Sequence, residues 1–188
     1  MRIILASKSP RRKEILENLG VAFEIITSDE EEKTAETEPD KIAMALSEIK
    51  AKSVAEKLGD KSALIIGCDT IVVKGNKILG KPKTKRQAEE MLTLLSDTEH
   101  TVISGLTLIL GDKILSRCEK TQVFFDKIGK AEMENYIASG DPFDKAGGYG
   151  IQGPASRFIK GINGCYFNVV GLPTHLFFEM VKELGIEI

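Results

Sequence analysis

Apolar positions along the chain fall into two alternating patterns. Short continuous runs read as buried strands, and runs spaced at three and four residues read as helices. Arg2–Ala6 is a strand of the first kind. Ser9 then takes an N-cap position with Pro10 at the first helical position, Ile15, Leu16 and Leu19 form one face, and Gly20 ends the helix. Val21–Thr27 reads as a second strand and Ser28–Pro39 as an acidic loop. Asp40–Leu58 has helical spacing and stops at Gly59-Asp60. Ala63–Val73 is strongly strand-like and turns through Gly75-Asn76 into Lys77–Leu79. Thr84 and Gln87 form a capping box before a helix that buries Ala88, Met91, Leu92 and Leu95. His100–Leu110 and Lys113–Asp126 read as long strands joined at Gly111-Asp112. Lys130–Ser139 is a helix, Asp141–Gly164 a glycine-rich loop, Cys165–Val170 a last strand and Pro173–Leu184 a last helix.

Strands and helices alternate throughout, so the expected class is α/β, and two hairpins make the sheet mixed. No internal repeat and no Pro/Gly/Ser-rich linker divides the 188 residues, so residues 1–188 are expected to form one domain.

Composition narrows the function. With 26 basic and 28 acidic residues the net charge is -2, so no broad field draws the chain to nucleic acid or to a membrane. No apolar run approaches the roughly 18 residues of a membrane span. The first apolar residues precede the basic ones, the reverse of a signal peptide, and a cytoplasmic location is expected. Cys68, Cys118 and Cys165 are isolated, and His100 and His175 are the two histidines, which leaves little for a zinc site or a Ser-His-Asp triad.

Candidate chemistry begins at Ser7-Lys8-Ser9-Pro10-Arg11-Arg12-Lys13, where four cations stand at the positive end of a helix. Acids are the residues favoured there, so the cations read as an anion site, with a solvated basic turn as the plain alternative. Gly67-Cys68-Asp69-Thr70 interrupts an apolar strand. A carboxylate in such a run holds a cation, activates water, or accepts backbone hydrogen bonds at the strand end. Gly80-Lys81-Pro82-Lys83 supplies further cations. The segment Gly75–Lys81 imitates a P-loop, but Pro82 replaces the metal-binding hydroxyl; Gly148–Gly153 matches G-x-G-x-x-G without the strand, helix and acidic partner of a dinucleotide site. The latter segment, with Asp144, Lys145 and Gln152, is still a long polar loop of the functional kind, and Gln152 is able to read a base edge. Asp29-Glu30-Glu31-Glu32 reads as a solvated loop, or as the source of a second carboxylate facing Asp69 across a shared metal.

Five segments in order resemble the Maf proteins: Leu5–Arg12, Gly67–Val72, Gly80–Pro82, Asp144–Gly153 and Asn168–Pro173. The resemblance implies a nucleoside triphosphate pyrophosphatase that cuts between the α- and β-phosphates. It implies an elongated mixed sheet flanked by helices, with two lobes and a central cleft, like the inosine triphosphate pyrophosphatases. It puts Asp69 at the catalytic acid and at a divalent metal, Mg²⁺ or Mn²⁺. Arg12, Thr70 and Gln152 fall at positions linked to substrate choice, and Ser7, Arg11, Lys50, Lys81 and Lys145 at polar positions of the nucleotide site. The Tyr-Gly-Ile-Gln-Gly form resembles the branch acting on dTTP and UTP, with modified nucleotides as a further substrate class. The family also implies a homodimer and a link to septum formation. The alternative reading is therefore a nucleotide-sensing regulator of cell division with a protein partner and slow or absent hydrolysis.

Overall fold

Strand β1 (Ile3–Leu5) is buried throughout and pairs in parallel with β2 (Glu24–Ile25) on one side and β3 (Leu64–Lys74) on the other. The computed structural model describes residues 1–28, 30 and 33–188. Its sheet has seven strands in the order β2-β1-β3-β5-β6-β7, with β5 Glu99–Leu110, β6 Lys113–Phe125 and β7 Ile159–Asn163; β4 (Lys77–Leu79) pairs with β3 off this path. Pairing is parallel at β1 and antiparallel at β3–β4 and β6–β7, so the sheet is mixed as expected. The helices are α1 (Pro10–Asn18), α2 (Pro39–Leu58), α3 (Lys85–Leu95), α4 (Lys130–Ala138), α5 (Tyr166–Val170) and α6 (Thr174–Glu183). No helix among the described residues is long and apolar enough to cross a membrane.

The chain forms two compact units, residues 1–69, 104–119 and 171–188 in one and residues 70–103 and 120–170 in the other. In the first, β1, β3 and α2 close on a cluster of Ile4, Ala51, Val54, Ala63, Ile65 and Ile109. Helix α2 reaches the sheet closely because glycines face it. A Cβ on Gly67 would lie 2.3 Å from the Ser47 carbonyl oxygen, and one on Gly105 would lie 2.0 Å from that of Ala43. The second unit packs α3 and α4 around Leu92, Leu95, Val123, Phe125, Tyr136 and Phe158. Burial of such side chains at about 25 cal/mol per Å² is the main stabilising term in each unit.

Turn chemistry follows the sequence. Gly75 and Gly111 have φ of 57° and 60° at the two hairpins, a left-handed conformation that a side chain disfavours. Thr84 Oγ1 accepts from the Gln87 N–H at 3.2 Å, while the Gln87 side chain accepts from the Lys83 N–H at 2.7 Å, one residue earlier than a full capping box requires.

Three expectations are corrected. The second strand is only Glu24–Ile25, an exposed edge that pairs with Ile4 and Leu5 of β1 alone. The stretch Asp141–Gly164 holds three short 3-10 turns and the last strand β7, which the glycines disguise. The segment Cys165–Val170 is not a strand, since Tyr166–Val170 is the short helix α5. Asn168 anchors it, donating from Nδ2 to the Val102 carbonyl at 3.0 Å and to Thr121 Oγ1 at 2.9 Å. Thr121 Oγ1 in turn donates to the Cys165 carbonyl, and the Val169 N–H donates to the same carbonyl at 3.4 Å, so a helical turn held by side chains takes the place of a strand ladder.

Candidate active site

In the first unit the middle of β3 places Asp69 under α2. Gly67 and Asp69 lie on the same face of the strand by alternation, and Gly67 lets the helix approach. Lys50 is on α2 one turn beyond Ser47 and next to Ala51, both buried, so it shares the helix's inner face. Its Nζ donates to Asp69 Oδ1 at 2.5 Å, and the Asp69 residue is 8% exposed. Burying a carboxylate is costly unless a charge answers it, and here an ammonium does.

Cys68, on the opposite face of β3, is fully buried, and burial pushes its thiol pKa up. Its Sγ donates to the Gly171 carbonyl at 3.1 Å. The same carbonyl accepts from Arg12 Nε at 2.8 Å, and Arg12 Nη1 donates to Ser7 Oγ at 2.9 Å. Ser7 Oγ also accepts from the Ser9 N–H at 3.2 Å. The basic turn is thus divided. Arg12 is buried in a fixed hydrogen-bonded setting, 8% exposed. Arg11 is half-buried, Lys8 and Lys13 are exposed, and Lys13 pairs with Glu17 at 3.5 Å. Ser9 is the N-cap residue of α1 but makes no side-chain cap, and Pro10 follows it at the first helical position.

In the second unit Thr70 is half-buried on β3, and Lys81 and Gln152 are exposed. Lys145 is held by three acceptors: the Asp141 carbonyl at 2.8 Å, Asp141 Oδ1 at 3.1 Å and Asp144 Oδ1 at 2.6 Å. Tyr136 Oη donates to Asp141 Oδ2 at 2.8 Å and to the Gly148 carbonyl at 3.2 Å. The Gly147 N–H donates to the Gly80 carbonyl at 3.0 Å, which ties the loop carrying Lys145 and Gln152 to the turn carrying Lys81.

The structure therefore brings together Ser7 with Arg12, Lys50 with Asp69, and the Lys81 turn with the Lys145 loop. The roles of Gly171, Asp141 and Tyr136 are not evident from local sequence, because each acts through a partner fixed by folding. Lys50 carries a readable signal, a cation on the apolar face of a helix. Of the acidic stretch, Asp29, Glu31 and Glu32 lie outside the described residues, and Glu30 is exposed.

Asp69 supplies hard oxygen donors suited to Mg²⁺ or Mn²⁺. Among the described residues no three His, Cys, Asp or Glu side chains gather. The donor set fits the mode in which one carboxylate and substrate phosphates share the ion.

Comparison with known proteins gives a consistent result. The family model described as Maf-like protein matches residues 2–184. A protein of Clostridium botulinum named dTTP/UTP pyrophosphatase is 47% identical over 99% of this chain and 98% of its own length. One of Thermoanaerobacter with the same name is 47% identical over 97% and 96%. Two solved structures align more loosely. The Ham1 protein of Staphylococcus aureus does so at 14% identity and a TM-score of 0.48, over 66% of this chain and 72% of that one. A nucleoside-triphosphatase, dITP/XTP pyrophosphatase, of Mycobacterium abscessus does so at 15% identity and 0.46, over 97% and 94%. The five sequence segments, the family model and the near-full-length identities agree, and the chain belongs to the family of Maf-like proteins.

Proposed function

We propose that the chain is a nucleoside triphosphate pyrophosphatase acting on dTTP and UTP, with residues 1–188 working as one Maf-like domain in the cytoplasm. The buried Lys50–Asp69 pair is the observation that carries this reading. The substrate class comes from the relatives named dTTP/UTP pyrophosphatase. Water attacks the α-phosphorus, the bond to the bridging oxygen of the β-phosphate breaks, and pyrophosphate leaves with that bond's electron pair. Asp69 orients the water and accepts its proton. Lys50, 2.5 Å away, fixes the carboxylate's direction. The guanidinium of Arg12, held at Gly171 and Ser7, and the side chains of Arg11, Lys81 and Lys145 supply positive charge for the triphosphate, and Ser7 lies beside Arg12 as a polar group of the same site. Thr70 and Gln152 select the pyrimidine. Asp69 would hold Mg²⁺ or Mn²⁺, which when bound offsets phosphate charge.

The test is release of pyrophosphate and monophosphate from dTTP, UTP, other canonical triphosphates and modified nucleotides, each with Mg²⁺ or Mn²⁺. Equal amounts of both products from dTTP and UTP are expected, and Asp69→Asn should lose about a hundredfold or more of kcat while remaining folded. Inorganic phosphate as the product, or near-normal turnover by the variant, overturns the assignment. Tight nucleotide binding without turnover favours a regulator of septum formation acting with a protein partner instead. Sedimentation of the purified protein decides whether it is a homodimer.

A further inference from the structure

Inside the second unit an imidazole meets a phenol. His100 Nε2 and Tyr149 Oη are 2.6 Å apart, with His100 only 3% exposed and Tyr149 5%. The rings of His100, Phe125 and Tyr149 meet edge-on, with centroids 4.8 to 5.2 Å apart. The second ring nitrogen of His100, Nδ1, is buried with no hydrogen-bond partner. Two phenylalanines would fill the same space without leaving a polar atom orphaned, so packing alone gives no reason for this pair. Its location supplies one.

Tyr149 stands between Gly148, at φ +73°, and Gly150, in the segment between Lys145 and Gln152. Glycines allow this backbone many conformations, and something must select one. A Cβ on Gly150 would come within 2.8 Å of Lys145 Cε, so the stem of Lys145 lies across that glycine. The backbone at 147 is tied to Gly80 and at 148 to Tyr136. The buried Tyr149 side chain is a further fixed point, immediately before Gly150.

We propose that the His100–Tyr149 hydrogen bond positions the nucleotide-binding loop, fixing the main chain of residues 147–150 and, through Gly150, the ammonium of Lys145. The proposal rests on the reading of this loop as nucleotide-binding. His100 touches no reacting atom in it and is a positioning residue. The pair then answers to substrate affinity rather than to stability, and the two separate on removing it.

The experiment compares the full chain with Tyr149→Phe, with the double variant His100→Phe/Tyr149→Phe, and with Leu92→Val as a packing control in the same core. Readouts are kcat and KM for dTTP with Mg²⁺, the dissociation constant of dTTP by calorimetry, and Tm. Both pair variants should raise KM about fivefold or more with kcat within about twofold. The double variant should keep or raise Tm, because both polar partners leave together. Leu92→Val should lower Tm and leave KM unchanged. Wild-type KM in both pair variants overturns the proposal, as does an equal rise in KM from Leu92→Val. A wild-type chain that binds dTTP without cleaving it overturns the functional reading alone, and the ratio of dissociation constants then decides the loop proposal. A wild-type chain that cleaves dTTP, with pair variants that match it, overturns the loop proposal alone.

Discussion

Arg12 donates from Nε to the main-chain carbonyl of Gly171 at 2.8 Å, across 159 positions of sequence. Gly171 has φ of 127°, so the turn that presents this carbonyl is one a side chain disfavours. The carbonyl also receives the Cys68 thiol, one residue before Asp69. A single main-chain acceptor thus fixes the arginine beside the strand that carries the candidate catalytic acid.

Arg12→Lys keeps the charge and loses the planar fork that bonds Gly171 and Ser7 together. It should lower kcat/KM for dTTP about tenfold or more and cost about 1.5–3 kcal/mol of stability, the range for a hydrogen bond to a charged group. Steady-state kinetics and urea denaturation check the two parts. Wild-type kinetics in a destabilised variant would make Arg12 a structural residue only.

Gly67→Ala tests the approach of α2 to β3. The added methyl would meet the Ser47 carbonyl oxygen at 2.3 Å and the Ala51 Cβ at 2.7 Å, both rigid parts of the helix. The helix must retreat, which should cost about 1–3 kcal/mol as overpacking does. Since α2 carries Lys50, kcat should fall with stability. Denaturation curves and turnover on the same preparation report both, and unchanged kcat would separate Lys50 from the chemistry.

His100 gives the stability a pH dependence. Burial, with a smaller contribution from Lys74, lowers its pKa from 6.5 to about 4. The unfolded chain therefore takes up the proton first. The contribution of the neutral imidazole is complete above pH 6.5 and is lost as pH falls toward 4, amounting to about 3 kcal/mol by then. The stability of the wild-type chain should fall relative to His100→Phe over that window. Parallel curves for the two proteins between pH 7 and 4 would show that His100 carries none of the acid sensitivity.

Local pattern was sufficient where the physics is local. The apolar run of β3, the left-handed glycines at 75 and 111, and the amphipathic α3 all appear in the structure as read, because each depends on neighbours within a few residues. Asp69 stood out for the same reason, as a lone acid in an apolar strand, and it is indeed buried against an opposite charge. Lys50 is a cation on the inner face of a helix, which is a local signal, but its role comes from the family resemblance, since its partner is 19 positions away on another element.

The chain by itself determined the alternation of strands and helices, the turns, and the rank of Asp69 among its acids, because periodicity, glycine conformation and the cost of burying charge are properties of short segments. Tertiary structure decided which groups answer one another. Cys165–Val170 is the plainest case, a short apolar run that suits strand or helix equally until Asn168 finds Val102 and Thr121. Arg12 is another, one of four cations at a helix start by sequence and a buried one by virtue of a carbonyl far along the chain. In both, the choice is made by hydrogen bonds between distant residues, which no local pattern encodes.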